Sequence, residues 1–157
     1  MQIHPFEPIF DKSSKILILG SFPSVRSRLD GFYYAHKQNR FWKVLSLLFD
    51  EPKLNNVKEK VDFLLRHKVA LYDAAFSCDV KGSSDSSMKN IFPTNLNRIF
   101  ENTKIEQVFA NGVRAYIICK KFHKFEPVKL PSTSPANAKY KLEDLLEEWK
   151  IILKYLE

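Results

Sequence analysis

Short apolar runs alternate with amphipathic segments along the chain. Residues 15–21 form a nearly continuous apolar run that ends in glycine and serine, and residues 69–76 form a second run of this kind. Apolar runs of this length without polar alternation predict strands that are buried on both faces, as in a parallel sheet. Residues 105–110 predict a third strand, and residues 128–130 predict a short fourth strand.

Helical spacing of apolar positions predicts five helices between and after these strands. They cover residues 39–49, 57–66, 95–101, 113–122 and 140–156. Thr94 or Asn95 is expected to cap the third helix, and the polar residues 78–89 predict a surface loop. Alternating strands and helices imply parallel strands joined by right-handed crossovers. We therefore expect a single α/β domain over residues 1–157, with three α/β/α layers around a mostly parallel four-stranded sheet.

Ligands of such folds bind at the carboxyl ends of the parallel strands. Four segments directly follow the predicted strands and are expected to meet at that edge. They are residues 20–27, 73–79, 111–112 and 130–137.

The charge of the chain favours nucleic acid as a partner. Its 157 residues include 25 Lys and Arg against 18 Asp and Glu, which gives a net charge of +7, and the pI is near 9.4. Basic and aromatic residues are interleaved in residues 26–43 and 120–129, a mixture that suits phosphate contacts beside stacked bases. Lysine-rich and phenylalanine-rich surfaces also occur without a ligand, so charge alone leaves both interpretations open.

Several other classes are excluded by composition. Cys78 and Cys119 do not make a disulfide framework, and no Cys or His spacing predicts a zinc or iron–sulfur site. The first residues lack the pattern of a signal peptide, and no apolar run approaches the roughly 20 residues of a membrane span. We therefore expect no cofactor, no metal and no membrane contact, and a soluble protein of a bacterial or archaeal cytoplasm, near the nucleoid.

The segment over residues 30–42 is the most informative part of the sequence. It places several aromatic rings and His36 just ahead of a helix that opens at Asn39. An asparagine at this point is either a helix cap or a ligand contact. Phe41 and its neighbour are expected in the core, whereas two adjacent tyrosines, Tyr33 and Tyr34, cannot easily both face inward.

Two turns follow predicted strands and are weak signals when taken alone. Gly20-Ser-Phe-Pro-Ser24 has too few glycines for a phosphate-binding loop and is not a nucleophile elbow. Leu130-Pro-Ser-Thr-Ser-Pro-Ala-Asn137 places three hydroxyl groups between two prolines. A stiff loop of this kind either grips phosphates through its side chains and N–H groups or merely leads into the last helix.

Together these segments resemble the uracil-DNA glycosylase superfamily. The motifs occur in the order of that family: Gly20-Ser-Phe-Pro-Ser24, Gly31-Phe-Tyr-Tyr-Ala-His36, Asn39-Arg-Phe-Trp42, Asn111-Gly112 and Leu130-Pro-Ser-Thr-Ser-Pro135. Their order and spacing are most similar to the hypoxanthine-DNA glycosylase (deoxyinosine glycosylase) branch, and next to the mismatch-specific uracil/thymine branch. The resemblance extends from Lys15 to the terminal helix.

The sequence also departs from parts of the family pattern. The mismatch-specific branch carries a water-positioning Asn at the position of Phe22, and the uracil-specific branch carries an Asp in the same motif. The uracil-specific enzymes also have a His at the position of Leu130. The hypoxanthine branch uses the Asn before Arg-Phe-Trp instead, which is Asn39 in this chain. The resemblance therefore implies a deaminated purine as the substrate.

The resemblance implies a monomeric, monofunctional DNA glycosylase of base excision repair. Such an enzyme flips a deaminated base, most fittingly hypoxanthine, out of double-stranded DNA and hydrolyses its N-glycosidic bond. Asn39 would be the catalytic residue, its carbonyl orienting water and its NH₂ group donating to the purine or sugar. Ser21, Phe22, Tyr34 and Asn111 would contact the base, and Ser24, Ser27, Ser132, Thr133 and Ser134 would bind DNA.

Other interpretations stay open at this stage. One is a glycosylase for uracil or thymine mispaired with guanine, and another is a binder of damaged nucleic acid that has lost catalysis. Asp73 is expected to cap a loop rather than assist catalysis, and His36 either contacts DNA or faces solvent. The remaining histidines are expected at the surface (His4, His67 and His123), Cys78 is expected to be a loop thiol, and no lysine is expected at a strand end to form a Schiff base.

Overall fold

The computed structural model describes residues 1–157. Its strands are β1 (Gln2–Ile3), β2 (Ile16–Gly20), β3 (Val69–Asp73), β4 (Ala75–Asp79), β5 (Lys89–Pro93), β6 (Gln107–Asn111) and β7 (Val128–Leu130). Its α-helices are α1 (Val25–Asp30), α2 (Phe41–Leu48), α3 (Val57–Arg66), α4 (Asn97–Asn102), α5 (Val113–Ile118) and α6 (Leu142–Trp149). Two 3₁₀-helices (Asp85–Ser87 and Lys150–Tyr155) and a π-helix (Cys119–His123) complete the regular structure.

Four parallel strands form the central sheet, in the order β3-β2-β6-β7. At the centre of this sheet Ile18 lies between Leu71 and Phe109. Every residue of β2 and β3 is buried, as their uninterrupted apolar runs predicted. The predicted α/β class with a mostly parallel four-stranded sheet is therefore confirmed.

The order of the strands places a crevice between β2 and β6. From β2 the chain crosses to β3 on one side, whereas from β6 it crosses to β7 on the other. Because such crossovers are right-handed, α2 and α3 lie on one face of the sheet and α5 lies on the opposite face. The point where the direction of winding reverses is where open α/β sheets bind ligands, at the carboxyl ends of the strands.

The sequence analysis missed a second sheet, which is antiparallel and has the order β1-β4-β5. Residues 69–76 were predicted as one strand, but the chain leaves the parallel sheet at Ala74 and pairs with new partners. The N–H groups of Ala74 and Ala75 donate to the carbonyls of Gly20, the last residue of β2, and Ser21, at 2.7 and 2.9 Å. The predicted loop over residues 78–89 is therefore wrong at both ends, and Cys78 is a buried strand residue whose burial raises its pKa.

Helix ends differ from the predicted bounds where tertiary contacts intervene. The helix α3 has the predicted bounds, and α2 begins two residues late, at Phe41. The predicted cap Thr94 does not cap α4, because it is buried and its hydroxyl donates to the carbonyl of Asp73 at 2.8 Å. The predicted helices at residues 113–122 and 140–156 continue as π and 3₁₀ turns rather than as α-helix.

A single cluster of 28 buried apolar side chains surrounds the central sheet. The apolar faces of α2 and α6 pack against each other, and Phe41 and Trp149 meet edge to face with ring centroids 5.9 Å apart.

Neither α2 nor any other helix is both long enough and apolar enough to cross a membrane.

Candidate active site

An open cleft of about 1290 Å³ lies at the carboxyl ends of the parallel strands. All ten side chains that the sequence analysis assigned to the base, to DNA or to catalysis line this one cleft: Ser21, Phe22, Ser24, Ser27, Tyr34, Asn39, Asn111, Ser132, Thr133 and Ser134. His36 and Asp73 line it too. The segments expected to meet at this edge of the sheet do meet, although their individual roles stay predictions.

A chain of hydrogen bonds runs across the cleft floor from Asn39 to Tyr34. The hydroxyl of Thr133 donates to Asn39 Oδ1 at 2.9 Å and accepts from Asn111 Nδ2 at 3.0 Å. Asn111 Nδ2 also donates to the hydroxyl of Tyr34 at 3.1 Å, and Asn111 Oδ1 accepts from the N–H of Thr133 at 3.1 Å. Asn111 thus spends both amide hydrogens and one lone pair of its oxygen on its neighbours, and its contact with a base stays a prediction.

The amide of Asn39 has a saturated oxygen and a free nitrogen. Its Oδ1 accepts from the N–H of Phe41 at 3.0 Å as well as from Thr133. Its Nδ2 makes no hydrogen bond and is not among the fully buried unpartnered atoms, so it is accessible in the cleft. Asn39 is not the N-cap of α2, which is Arg40, but its oxygen holds the first N–H of the helix while its NH₂ group stays free for the site. The oxygen cannot also hold an attacking water, contrary to our expectation.

The neighbouring Arg40 ties the loop over residues 131–140 to the start of α2. Its guanidinium donates to the carbonyls of Ser134 at 3.0 Å and Asn137 at 3.2 Å, and also to the carbonyl of Tyr140. Its backbone N–H donates to the carbonyl of Thr133 at 3.1 Å. Sequence reasoning missed this function of Arg40, which holds Thr133 within reach of Asn39.

Tyr33 and Tyr34 both line the cleft but differ in burial and in their contacts. Tyr33 is buried and donates its hydroxyl to the carbonyl of Glu7 at 2.8 Å. Tyr34 has a positive φ of 52° and stacks on Phe41, with centroids 4.1 Å apart. Burial is the main cause that raises the pKa of Tyr34, with the charge of Asp73 second, so it is a neutral phenol at the cleft.

The turn after β2 carries a hydroxyl group and an aromatic ring into the cleft. Ser21 donates its hydroxyl to Asp85 Oδ1 at 2.6 Å, a contact that the predicted surface loop did not suggest. Burial raises the pKa of Asp85. The guanidinium of Arg28 lies 5.6 Å from the centroid of the half-buried Phe22 ring, a cation–π contact.

Comparison with known proteins identifies the family. Residues 7–156 match the family model described as "Uracil DNA glycosylase superfamily". The chain belongs to this superfamily. The resemblance found in the sequence motifs is thereby confirmed.

Individual relatives in the superfamily come from methanogenic archaea. One from Methanosarcina barkeri, named hypoxanthine DNA glycosylase, is 32% identical over 91 residues, which cover 57% of this chain and 58% of that protein. Another of the same name from Methanosarcina acetivorans is 27% identical over 154 residues, covering 96% and 97% of the two chains. The solution NMR structure of a provisionally named uracil DNA glycosylase from M. acetivorans is 26% identical, covers 99% of both chains and has a TM-score of 0.82.

Two of the hydroxyl groups expected to bind DNA are buried in this superfamily member. Thr133 is fully buried, and Ser27 is 1% exposed with its hydroxyl accepting from the N–H of Ala35 at 3.1 Å. Neither can contact a phosphate in this conformation, so both stabilise the walls of the cleft instead. Ser24 caps α1, since its hydroxyl accepts from the N–H of Ser27 at 3.2 Å.

The half-buried Ser132 and Ser134 remain candidates for DNA contact. Each hydroxyl accepts one backbone N–H from its own loop, at 3.1 Å. A hydroxyl group keeps its own hydrogen and a second lone pair in such a turn, so both serines can still bond a phosphate from the cleft wall.

Sequence reasoning placed one histidine wrongly. His4 is not at the surface but buried, and its Nε2 bonds Asp73 Oδ2 at 2.8 Å. Asp73 is itself buried at the end of β3, facing the cleft. No local signal marks this pair, because 69 residues separate its members in the chain.

No three His, Cys, Asp or Glu side chains lie close enough to form a metal site.

Proposed function

We propose that this protein is a monofunctional DNA glycosylase that excises hypoxanthine from double-stranded DNA. It acts as a monomer, flips the deaminated nucleotide into the cleft and hydrolyses the bond between C1′ and N9. The names of the two curated relatives support this substrate. The net charge of +7 supports a nucleic-acid partner.

The free NH₂ group of Asn39 is the observation that carries the proposal. When the C1′–N9 bond breaks, its electron pair moves to the purine, so negative charge develops on the leaving base. A hydrogen-bond donor fixed at that place lowers the barrier, because it needs no reorganisation during the reaction. Asn39 is fixed in this way, since Phe41 and Thr133 both hold its oxygen. Water then adds its oxygen to C1′, and its proton neutralises the departed base.

The composition of the turn Gly20–Ser24 supports a mechanism in which no carboxylate or amide side chain of that turn takes part. It contains no Asp or Asn, and Phe22 lines the cleft there. The leaving hypoxanthine takes up the electrons of the broken bond through its ring nitrogens. Stabilising the leaving group from Asn39 is therefore the mechanism that these residues can perform.

Basic side chains on the cleft wall support binding of the DNA backbone. Lys81, Arg114, Lys129 and Lys139 line the cleft. Lys129 lies in the middle of β7, and its ammonium lies over the ring of Tyr116, 5.6 Å from the centroid. That position supports a role for the ammonium as a positive charge that attracts the DNA backbone, rather than as a Schiff-base nucleophile.

A single-turnover assay tests the proposal. Excess protein is mixed with duplexes that contain hypoxanthine, uracil opposite guanine, or thymine opposite guanine, and abasic sites are cleaved with alkali. We expect release of hypoxanthine and no product that borohydride traps on the protein. Faster release of uracil or thymine would favour a mismatch-specific enzyme. Binding to the damaged duplexes without release of any base would favour the non-catalytic binder.

A further inference from the structure

The carboxylate of Asp73 is held by one oxygen and free at the other. Its Oδ2 bonds His4, whereas its Oδ1 accepts no hydrogen bond from the protein. The only fully buried side-chain N and O atoms without a partner are Arg28 Nη1 and Arg114 Nε. Oδ1 of Asp73 therefore keeps an accessible surface, and the cleft is where it is exposed.

The glycine that ends β2 keeps this oxygen uncovered. A Cβ on Gly20 would lie 2.4 Å from Asp73 Oδ1 and 2.8 Å from the hydroxyl of Tyr34. Only glycine leaves this space open, so the backbone of β2 and the carboxylate lie side by side at the end of the crevice. The crevice thus has an anionic acceptor from β3 beside the network of Tyr34, Asn111 and Asn39.

His4 fixes the direction of that carboxylate. Its Nδ1 accepts the N–H of Phe6 at 3.4 Å, so Nε2 carries the hydrogen that Asp73 accepts. The ring of His4 packs against Phe6 and Tyr72, with centroids 4.6 and 5.1 Å away, and its side chain is fully buried. These contacts hold the imidazole against Asp73 Oδ2, which leaves Oδ1 as the oxygen that Asp73 presents to the cleft.

Deamination places a hydrogen on one ring nitrogen of the base, and a carboxylate can accept a hydrogen bond from that N–H group. N1 of adenine is an acceptor, but N1 of hypoxanthine carries a hydrogen beside the new carbonyl group. N3 of cytosine and N3 of uracil differ in the same way. An ionised carboxylate only accepts hydrogen bonds, so it bonds the deaminated base and repels the lone pair of the parent base.

We propose that Asp73 Oδ1 accepts the ring N–H that deamination creates, and that His4 is the positioning residue of Asp73. The proposal rests on the proposed function, because it names the group that selects the substrate of the same cleft. Bonds to a charged acceptor are among the strongest in proteins, and a site built to bond an N–H rejects an analogue that lacks it. Asp73 would thus separate the damaged base from the intact one.

Binding to duplexes that resist hydrolysis tests this without using activity. The target nucleotide carries a 2′-fluorine, which blocks bond cleavage, and the base is hypoxanthine, 1-methylhypoxanthine or adenine. We expect the wild-type protein to prefer hypoxanthine over each of the others by about 10- to 100-fold. In Asp73→Asn the amide oxygen takes the His4 hydrogen and its NH₂ group faces the cleft, so the preference over 1-methylhypoxanthine falls to about one.

Two histidine variants separate positioning from structure. His4→Gln can still donate to Asp73 and should keep most of the preference, whereas His4→Phe should lose it. His123→Gln is the matched control, because His123 bonds the carbonyl of the adjacent Ala74 at 2.8 Å but does not touch the carboxylate. Loss of preference in His4→Phe with a wild-type melting temperature and an unchanged His123→Gln supports the pairing.

Each other outcome is decisive. A wild-type protein without preference for hypoxanthine over 1-methylhypoxanthine overturns the proposal, and so does an Asp73→Asn protein that keeps the preference. If Asp73→Asn does not fold, two other results test the proposal: the preference of the wild type for hypoxanthine over 1-methylhypoxanthine, and the loss of that preference in His4→Phe. A wild-type protein that prefers the hypoxanthine duplex but releases no base from the unmodified duplex refutes the proposed function and leaves the assignment of Asp73 standing.

Discussion

Replacement of Asn39 by Asp separates the two functions of this side chain. The carboxylate keeps an oxygen for the N–H of Phe41 and for the hydroxyl of Thr133, which lie 3.0 and 2.9 Å from Oδ1. It replaces the NH₂ group that faces the cleft with a second oxygen, which carries negative charge and cannot donate. Loss of one fixed donor at a developing negative charge lowers rates about 10²- to 10³-fold, or about 2.7–4 kcal/mol in the barrier. We expect a loss of this size in hypoxanthine release by Asn39→Asp.

The stability of the variants distinguishes catalysis from capping. A negative charge just before α2 is favourable at a helix N-terminus, so Asn39→Asp should melt within a few degrees of the wild type. Asn39→Ala leaves both the N–H of Phe41 and the hydroxyl of Thr133 without their acceptor. It should lose about 1–2 kcal/mol, which lowers the melting temperature by about 2–4 °C per kcal/mol in a chain of this size.

A second asparagine provides the matched control. Asn95 Oδ1 accepts from the N–H of Asn97 at 3.1 Å ahead of α4, the same local arrangement as at Asn39 but outside the cleft. Asn95→Asp should leave both melting temperature and release rate unchanged. Single-turnover rates at saturating protein and melting curves are measured on the same samples. A folded Asn39→Asp variant that releases hypoxanthine at the wild-type rate would refute the reasoning.

Three further changes probe the cleft and its walls. Gly20→Ala should lower both the melting temperature and hypoxanthine release, because its Cβ would lie 2.4 Å from Asp73 Oδ1; a wild-type melting curve would contradict this. Arg40→Lys should slow release at saturating protein, because the guanidinium bonds three loop carbonyls from two separate nitrogens and a single ammonium nitrogen does not reproduce that fork; an unchanged rate would show that the loop holds without it. The double variant with Ser132→Ala and Ser134→Ala should weaken duplex binding in gel-shift titrations more than it slows release. A slower release with unchanged affinity would instead place these serines in bond cleavage. The affinity of the wild type for duplex DNA should fall steeply as the salt concentration rises.

Local sequence patterns were sufficient to predict the positions of several helices and strands. The runs that became β2 and β7 and the periodic α3 lie where they were predicted, and β2 is buried along its whole length, as its apolar run requires. The run over residues 69–76 was different. Its apolar residues suit either sheet equally well, so the change of partner at Ala74 depends on the carbonyls of Gly20 and Ser21 and on the pairing of β1 with β4. No local pattern encodes a change of partner between two equally apolar strands.

The candidate site shows the same division. Motif order was enough to bring ten side chains to one cleft, because parallel strands place their carboxyl ends at one edge of a sheet. It could not show which side chains are free. Thr133 and Asn111 are polar residues at a strand end, as a ligand contact would be, but they bond each other and are buried. Their roles depend on contacts between segments 22 residues apart.

The sequence by itself determined the superfamily, the parallel sheet and the edge at which the site lies. These follow from the period of apolar residues and from short motifs, which act over a few residues at a time. Only the tertiary structure decided the directions of the polar groups. Thr133 turns the Asn39 amide from 94 residues away, and His4 holds Asp73 from 69 residues away. A hydrogen bond requires its atoms within about 3 Å and in line, and only the folded chain brings such distant residues that close.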